Sequence, residues 1–133
     1  MTVYEALTEY RFMETLPELI RNLVNGLEAD PRMKHFPEVK KLHRDHLRRQ
    51  LFRAGIACQE AQKAVKEQTS PRREILTLVY LRGSDNADVA EALDISTSTL
   101  YRHLAEAKSD LGKREIIFPD MDAFLAARRK PAN

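Results

Sequence analysis

Thirty consecutive residues, Glu38 to Glu67, contain no proline, and Gly55 is the one weak point for a helix among them. Within this stretch Leu47, Leu51, Ala54, Cys58, Ala61 and Val65 recur in alternating steps of four and three. That period lines them up as a seam against another helix, of the same chain or of a partner. So long a helix points to an all-α fold, and almost every other segment reads as helix as well.

Thr2 and Glu5 have capping-box spacing and open a helix expected over residues 3–14. Thr15 and Glu18 repeat the signature. Pro17 suits a first turn but not a helix interior, so a second helix is expected over 16–28. Its apolar face is Leu16, Leu19, Ile20, Leu23, Val24 and Leu27. After the long helix, Ser70 can cap and Pro71 can take the first helical position. Ile75, Leu78 and Val79 then form a buried stripe, and Gly83 closes that helix. The end of the chain reads as a short extended piece, a helix from about Asp120 to Lys130, and a frayed terminus. Three regions follow: a helical N-terminal and oligomerising region over 1–68, a helix-turn-helix over 69–112, and a C-terminal extension over 113–133.

The segment "NADVAEALDISTSTLYRHLAEAKSDLG", residues 86–112, carries the most chemistry. Asp85 and Asp88 favour the start of its first helix by capping and by charge. Val89, Ala90 and Leu93 face inward, with the small Ala90 where two helices cross. Asp94 occupies a turn position that wants left-handed backbone, Ile95 plugs the turn from beneath, and Ser96 caps the second helix. Leu100, Leu104, Ala107 and Leu111 form the buried face of that helix. Thr97, Ser98, Thr99, Tyr101, Arg102 and Ala105 are then left facing outward. In such a unit the first residues of the second helix reach base edges. Arg102 can grip guanine O6 and N7 in bidentate fashion, and the methyls of Thr97 or Thr99 can touch thymine. Ser96 and Tyr101 suit phosphate oxygens.

The pieces "ILTLVYLRG", "DVAEALDIS" and "STLYRHLAEAKSDL" resemble the C-terminal module of phage-encoded ArpU/RinA-type transcriptional regulators. Those modules are in turn similar to region 4 of sigma factors and to LuxR-type DNA-binding domains. The resemblance implies a regulator bound at a promoter region, with Thr97, Ser98, Thr99, Tyr101 and Arg102 facing the major groove. This chain departs from related modules at the first turn of the second helix, where Thr97 and Ser98 stand in place of an Arg or Lys.

Charge is distributed against a simple DNA-binding reading. Residues 69–112 hold five Lys/Arg and seven Asp/Glu, and residues 1–30 hold two and six. Residues 31–68 hold ten and four, so the basic charge is concentrated on the long helix. There Lys40, Arg44 and Arg48 share one face at four-residue spacing. Phosphate neutralisation dominates affinity for DNA. These three residues are therefore the expected phosphate contacts, together with the "ARRK" run; alternatively they pair with the acidic N-terminal helices.

A single cysteine, Cys58, excludes an internal disulfide and fits a reducing cytoplasm. No apolar run approaches a membrane span and the first ten residues are acidic, so neither a membrane partner nor a signal peptide is expected. His43 and His46 lie one turn apart without a second Cys/His pair at ligand spacing. They read as structural or surface residues, as do His35 and His103, and Cys58 reads as a small core residue. No metal, cofactor or catalytic residue is predicted, and no motif argues for an enzyme. The expectation is a cytoplasmic, sequence-specific DNA-binding transcriptional regulator. It would bind double-stranded DNA as a homodimer, and RNA polymerase is a candidate partner. Two alternatives remain: a DNA-packaging recognition subunit like a phage small terminase, or a sigma-like module that contacts RNA polymerase or another protein instead of DNA.

Overall fold

The computed structural model describes residues 1–129, and among them the all-α expectation holds. The α-helices are α1 (Val3–Thr8), α2 (Tyr10–Ala29), α3 (Pro37–Lys66), α4 (Arg72–Leu76), α5 (Asn86–Ala92), α6 (Thr97–Leu111) and α7 (Met121–Arg129). A 3-10 turn, Pro31–His35, joins α2 to α3, and a π-helical stretch, Thr77–Leu81, prolongs α4.

Helix α1 starts as its sequence dictates. The Thr2 hydroxyl accepts from the Glu5 N–H at 3.1 Å, and the Glu5 carboxylate accepts from the Thr2 N–H at 3.3 Å. The break that follows is not where the proline suggested. The chain bends at Glu9, and Pro17 lies well inside α2. Thr15 caps nothing; its hydroxyl donates to the Phe12 carbonyl at 2.6 Å. A mid-helix proline costs about 3 kcal/mol. Tyr10, Met13 and Ile20 stay in phase on one buried stripe of α2, the helix packs along α3, and that packing carries it through Pro17.

Only part of the apolar face foreseen for α2 is covered. Ile20 is buried, whereas Leu19 and Leu23 are 46% and 48% exposed. The reason is geometric: beyond Ile20, α3 is the one helix packed on α2, and it covers one flank of a wide stripe. The seam on α3 packs within the chain, against α1 and α2. Ala54, Ala57, Ala61, Ala64 and Val65 are buried there, and the run of alanines allows close approach. Leu47, Leu51 and Cys58 are half-buried.

Two apolar clusters organise the fold. The larger joins α1, α2 and the C-terminal half of α3 to Leu76, Ala107, Leu111 and Ile116. The smaller consists of Ile75, Val89, Ala90 and Leu100, ringed by Leu78, Val79, Leu93 and Ile95, and Leu104 packs on both. The far half of α6 is thus rooted in the main core, while its first turns rest on the small cluster.

Ser70 does not cap backbone; its hydroxyl donates to the Glu74 carboxylate at 2.7 Å, and α4 begins after Pro71. The helix closes at Gly83, which takes φ +69° as expected of a terminating glycine. Its last helical bond, Arg82 N–H to Thr77 O at 3.0 Å, spans five residues, which is the π pattern, and Ser84 N–H to Leu78 O at 2.8 Å spans six to close the end around Gly83. The extended piece pairs with the chain start through Val3 N–H to Arg114 O at 2.8 Å and Ile116 N–H to Met1 O at 2.9 Å. Asp120 caps α7 by accepting from Ala123 N–H at 2.8 Å. Lys130, where that helix was expected to end, and the rest of the terminus lie outside the described residues.

Candidate nucleic-acid interface

The turn between α5 and α6 is set by three residues. Asp94 adopts φ +52°, the left-handed conformation that Asp tolerates better than most residues. The next N–H, of Ile95, returns to Ala90 O at 3.0 Å, and the Ile95 side chain drops onto the small cluster. Ser96 then caps α6 by accepting from the Thr99 N–H at 3.1 Å. Ala90, 5% exposed, lets the two helices approach closely.

With Leu100, Ala107 and Leu111 buried, α6 presents Ser96, Thr97, Ser98, Tyr101, Arg102 and Ala105 to solvent. Tyr101 is 56% exposed, a large aromatic side chain left mostly to solvent. Arg102 makes no ion pair among the described residues, so its guanidinium is available. Thr99 differs from the outward position expected for it. It is half-buried, and its hydroxyl is joined to that of Ser96 at 2.9 Å. It belongs to the cap.

The unit is braced from behind. Arg72 on α4 pairs with Glu106 on α6 and also donates to His103 Nδ1 at 3.4 Å. That contact accounts for His103, which is half-buried. The Arg11 side chain of α2 lies against the Cα of Gly83, so any side chain there would collide with it as well as strain the backbone. The sequence held no local signal for either brace, since both join residues distant along the chain.

Electrostatics divide this surface. Asp85, Asp88, Glu91 and Asp94 are all exposed on and around α5. Against them stand Arg102, Arg82 at the end of α4, and Lys108, whose ammonium lies 5.9 Å from the Tyr4 ring centroid. The three bases singled out on α3 do not share one environment. Lys40 and Arg44 pair with Glu28 of α2, at 2.6 Å and 3.2 Å. The hydrogen bond from Lys40 holds the Glu28 carboxyl below its ordinary range, with Arg44 adding to the effect. Arg48 is exposed and instead lines a cleft of about 600 Å³ between α3 and α7, together with Arg49 and Arg129. At 1.5 Å per residue, Arg48 lies roughly 27 Å along α3 from its C-terminal end beside α4. The arginine cluster around Arg48 is thus remote from the α5–α6 unit.

Cys58 is not poised as a nucleophile. Burial pushes its thiol above the ordinary cysteine value, and the Glu14 charge adds to the shift. No described helix is long and apolar enough to cross a membrane.

The family model described as "Sigma-70, region 4" matches residues 59–111. The match begins on the last two turns of α3, ten residues before the boundary drawn from sequence, and runs to the end of α6. Across that span the chain carries a sigma-region-4-like helix-turn-helix. No curated protein and no solved structure matches the chain significantly.

Proposed function

We propose that this chain is a transcriptional regulator of the phage-encoded ArpU/RinA type, acting in the cytoplasm, that reads duplex DNA through α6. The observation that carries this is the exposed polar first turn of α6. It is fixed by the Ser96 cap on a hairpin similar to sigma-70 region 4. Arg102 reads guanine, and Thr97 and Ser98 approach neighbouring base edges. Tyr101 and the Ser96 hydroxyl serve phosphates. Arg48 and the neighbouring arginines of α3 and α7 supply phosphate neutralisation that the acidic α5 surface lacks. Lys40 and Arg44, held by Glu28, add to the field without being free to move to phosphates. Two copies acting together match the habit of helix-turn-helix proteins of binding paired half-sites.

The exposed carboxylates of α5 favour a second reading, in which that face docks a basic surface of RNA polymerase while α6 lies on DNA or in place of DNA contact. Selection from a random duplex pool with the full chain separates the two. Enrichment of one short motif is the expected result. A pool that stays unenriched, with retention of purified RNA polymerase on the same protein, replaces DNA reading with the protein-contact reading.

A further inference from the structure

The helix-turn-helix module is short of positive charge that can reach DNA. Residues 69–112 hold five bases, and three of them are engaged inside the fold. Arg72 pairs with Glu106, Arg73 pairs with Glu74 at 3.2 Å, and the Lys108 ammonium lies over the Tyr4 ring. That leaves Arg82 and Arg102, both exposed and without an ion pair among the described residues. The exposed carboxylates of Asp85, Asp88, Glu91 and Asp94 outnumber them. Phosphate neutralisation dominates affinity for duplex DNA, so further charge must come from elsewhere in the chain.

The fold brings one base to the module from α2. That helix packs on the π-helical stretch that ends at Leu81. Arg11, on the first turn of α2, is exposed and lays its side chain along the loop at Gly83. A Cβ at Gly83 would overlap the Arg11 guanidinium and the end of its aliphatic stem. The bare glycine is therefore what lets Arg11 lie across this loop. The Arg11 side chain makes no ion pair and no hydrogen bond among the described residues, although Asp85 follows Gly83 by only two residues.

In helix-turn-helix docking the first turn of the second helix enters the major groove, while the first helix crosses the backbone. Here α5 is seven residues long and carries the chain roughly 10 Å between the Gly83 loop and the turn at Asp94. The major groove is about 12 Å wide. With the first turn of α6 seated in the groove, the loop before α5 stands over the phosphates that border it. We infer that Arg11 contacts one of these phosphates, so that α2 completes the duplex-binding surface of the α5–α6 unit. Its planar guanidinium can donate two parallel N–H bonds to one phosphate group. Arg11 lies outside residues 59–111, the span of the family model, so this contact is an addition made by the N-terminal region of the chain. The inference deepens the DNA-binding reading and rests on it.

The test is fluorescence anisotropy of the full chain on a selected duplex and on an unrelated duplex of equal length, titrated across salt. Wild type, Arg11→Gln, Arg11→Lys and Arg102→Ala are compared. Arg11→Gln is expected to lower the slope of log affinity against log salt by about 1 on both duplexes. Arg11→Lys keeps the charge and should keep the slope. An Arg11 that only props the Gly83 loop gives a different pattern: Gln and Lys lose affinity alike and the slope is unchanged. That pattern overturns the inference. Arg102→Ala separates this failure from failure of the DNA-binding reading. A selective loss with Arg102→Ala, beside a wild-type slope with Arg11→Gln, removes Arg11 alone from the interface. A wild type that binds neither duplex overturns the reading and the inference with it.

Discussion

The Ser96 side-chain oxygen accepts a hydrogen bond from the Thr99 backbone N–H at 3.1 Å, and the two hydroxyls are joined at 2.9 Å. This pair fixes where α6 begins, and therefore which residues of its first turn can meet DNA. Replacing Ser96 by Ala is expected to lower stability by about 1 kcal/mol in urea denaturation. Replacement by Gly should cost only a few tenths. An Ala variant as stable as wild type would remove the cap from the account.

The small apolar cluster under α5 and α6 has few members, so each carries much of its stability. Leu100 is completely buried there. Leu100→Ala is expected to destabilise by about 2–5 kcal/mol, through lost burial and the cavity left behind. Leu42→Ala, at a site 71% exposed, serves as the comparison and should leave monomer stability nearly unchanged. Both are read from the midpoint of chemical denaturation at a protein concentration where association is constant.

What the sequence made legible was chemistry confined to a few neighbouring residues. The left-handed positions at Gly83 and Asp94, the caps at Thr2 and Ser96, and the unbroken helix α3 all follow from short-range backbone physics. The outward face of α6 was legible for the same reason, apart from Thr99, whose hydroxyl turned to the cap. Long-range choices were not legible. Pro17 sits inside α2 because the packing of Tyr10, Met13 and Ile20 outweighs a local preference. Leu19 and Leu23 have the spacing of core residues, and only the number of helices packed on α2 decides that they are not. Lys40, Arg44 and Arg48 share a spacing, but Glu28, which lies on another helix, separates the first two from the third.

Acidification should loosen the hairpin before the core. The Glu28 carboxyl is held below its ordinary value of 4.5, first by its hydrogen bond from Lys40. A lowered folded-state value stabilises the fold above the unfolded value and loses that contribution as pH falls through the folded one. Amide exchange across residues 21–53, corrected for its intrinsic pH dependence, should therefore rise as pH drops below 4.5 while the core around Val65 stays protected. Glu28→Gln should reduce the pH dependence of that region, leaving the part due to Asp30, whose carboxyl is also held low by its hydrogen bonds from Arg32. Equal acid sensitivity in wild type and Glu28→Gln would show that the pair does not fasten the hairpin.

Arg48 and Arg44 are adjacent turns of α3 with different expected roles in DNA binding. Arg48→Ala should reduce the slope of log affinity against log salt by about 1, and by the same amount on every duplex. Arg44→Ala should change that slope less, since its guanidinium is engaged by Glu28. A larger slope change for Arg44 than for Arg48 would reverse the assignment of the phosphate contacts.

The central claim is that α6 reads bases, and Arg102 tests it most directly. Fluorescence anisotropy with a selected duplex and an unrelated duplex of equal length, at matched salt, compares wild type with Arg102→Ala. The account predicts a loss of about 1–3 kcal/mol on the selected duplex and a much smaller loss on the unrelated one. Equal losses on both would make Arg102 a phosphate contact, and no loss on either would contradict DNA reading by α6.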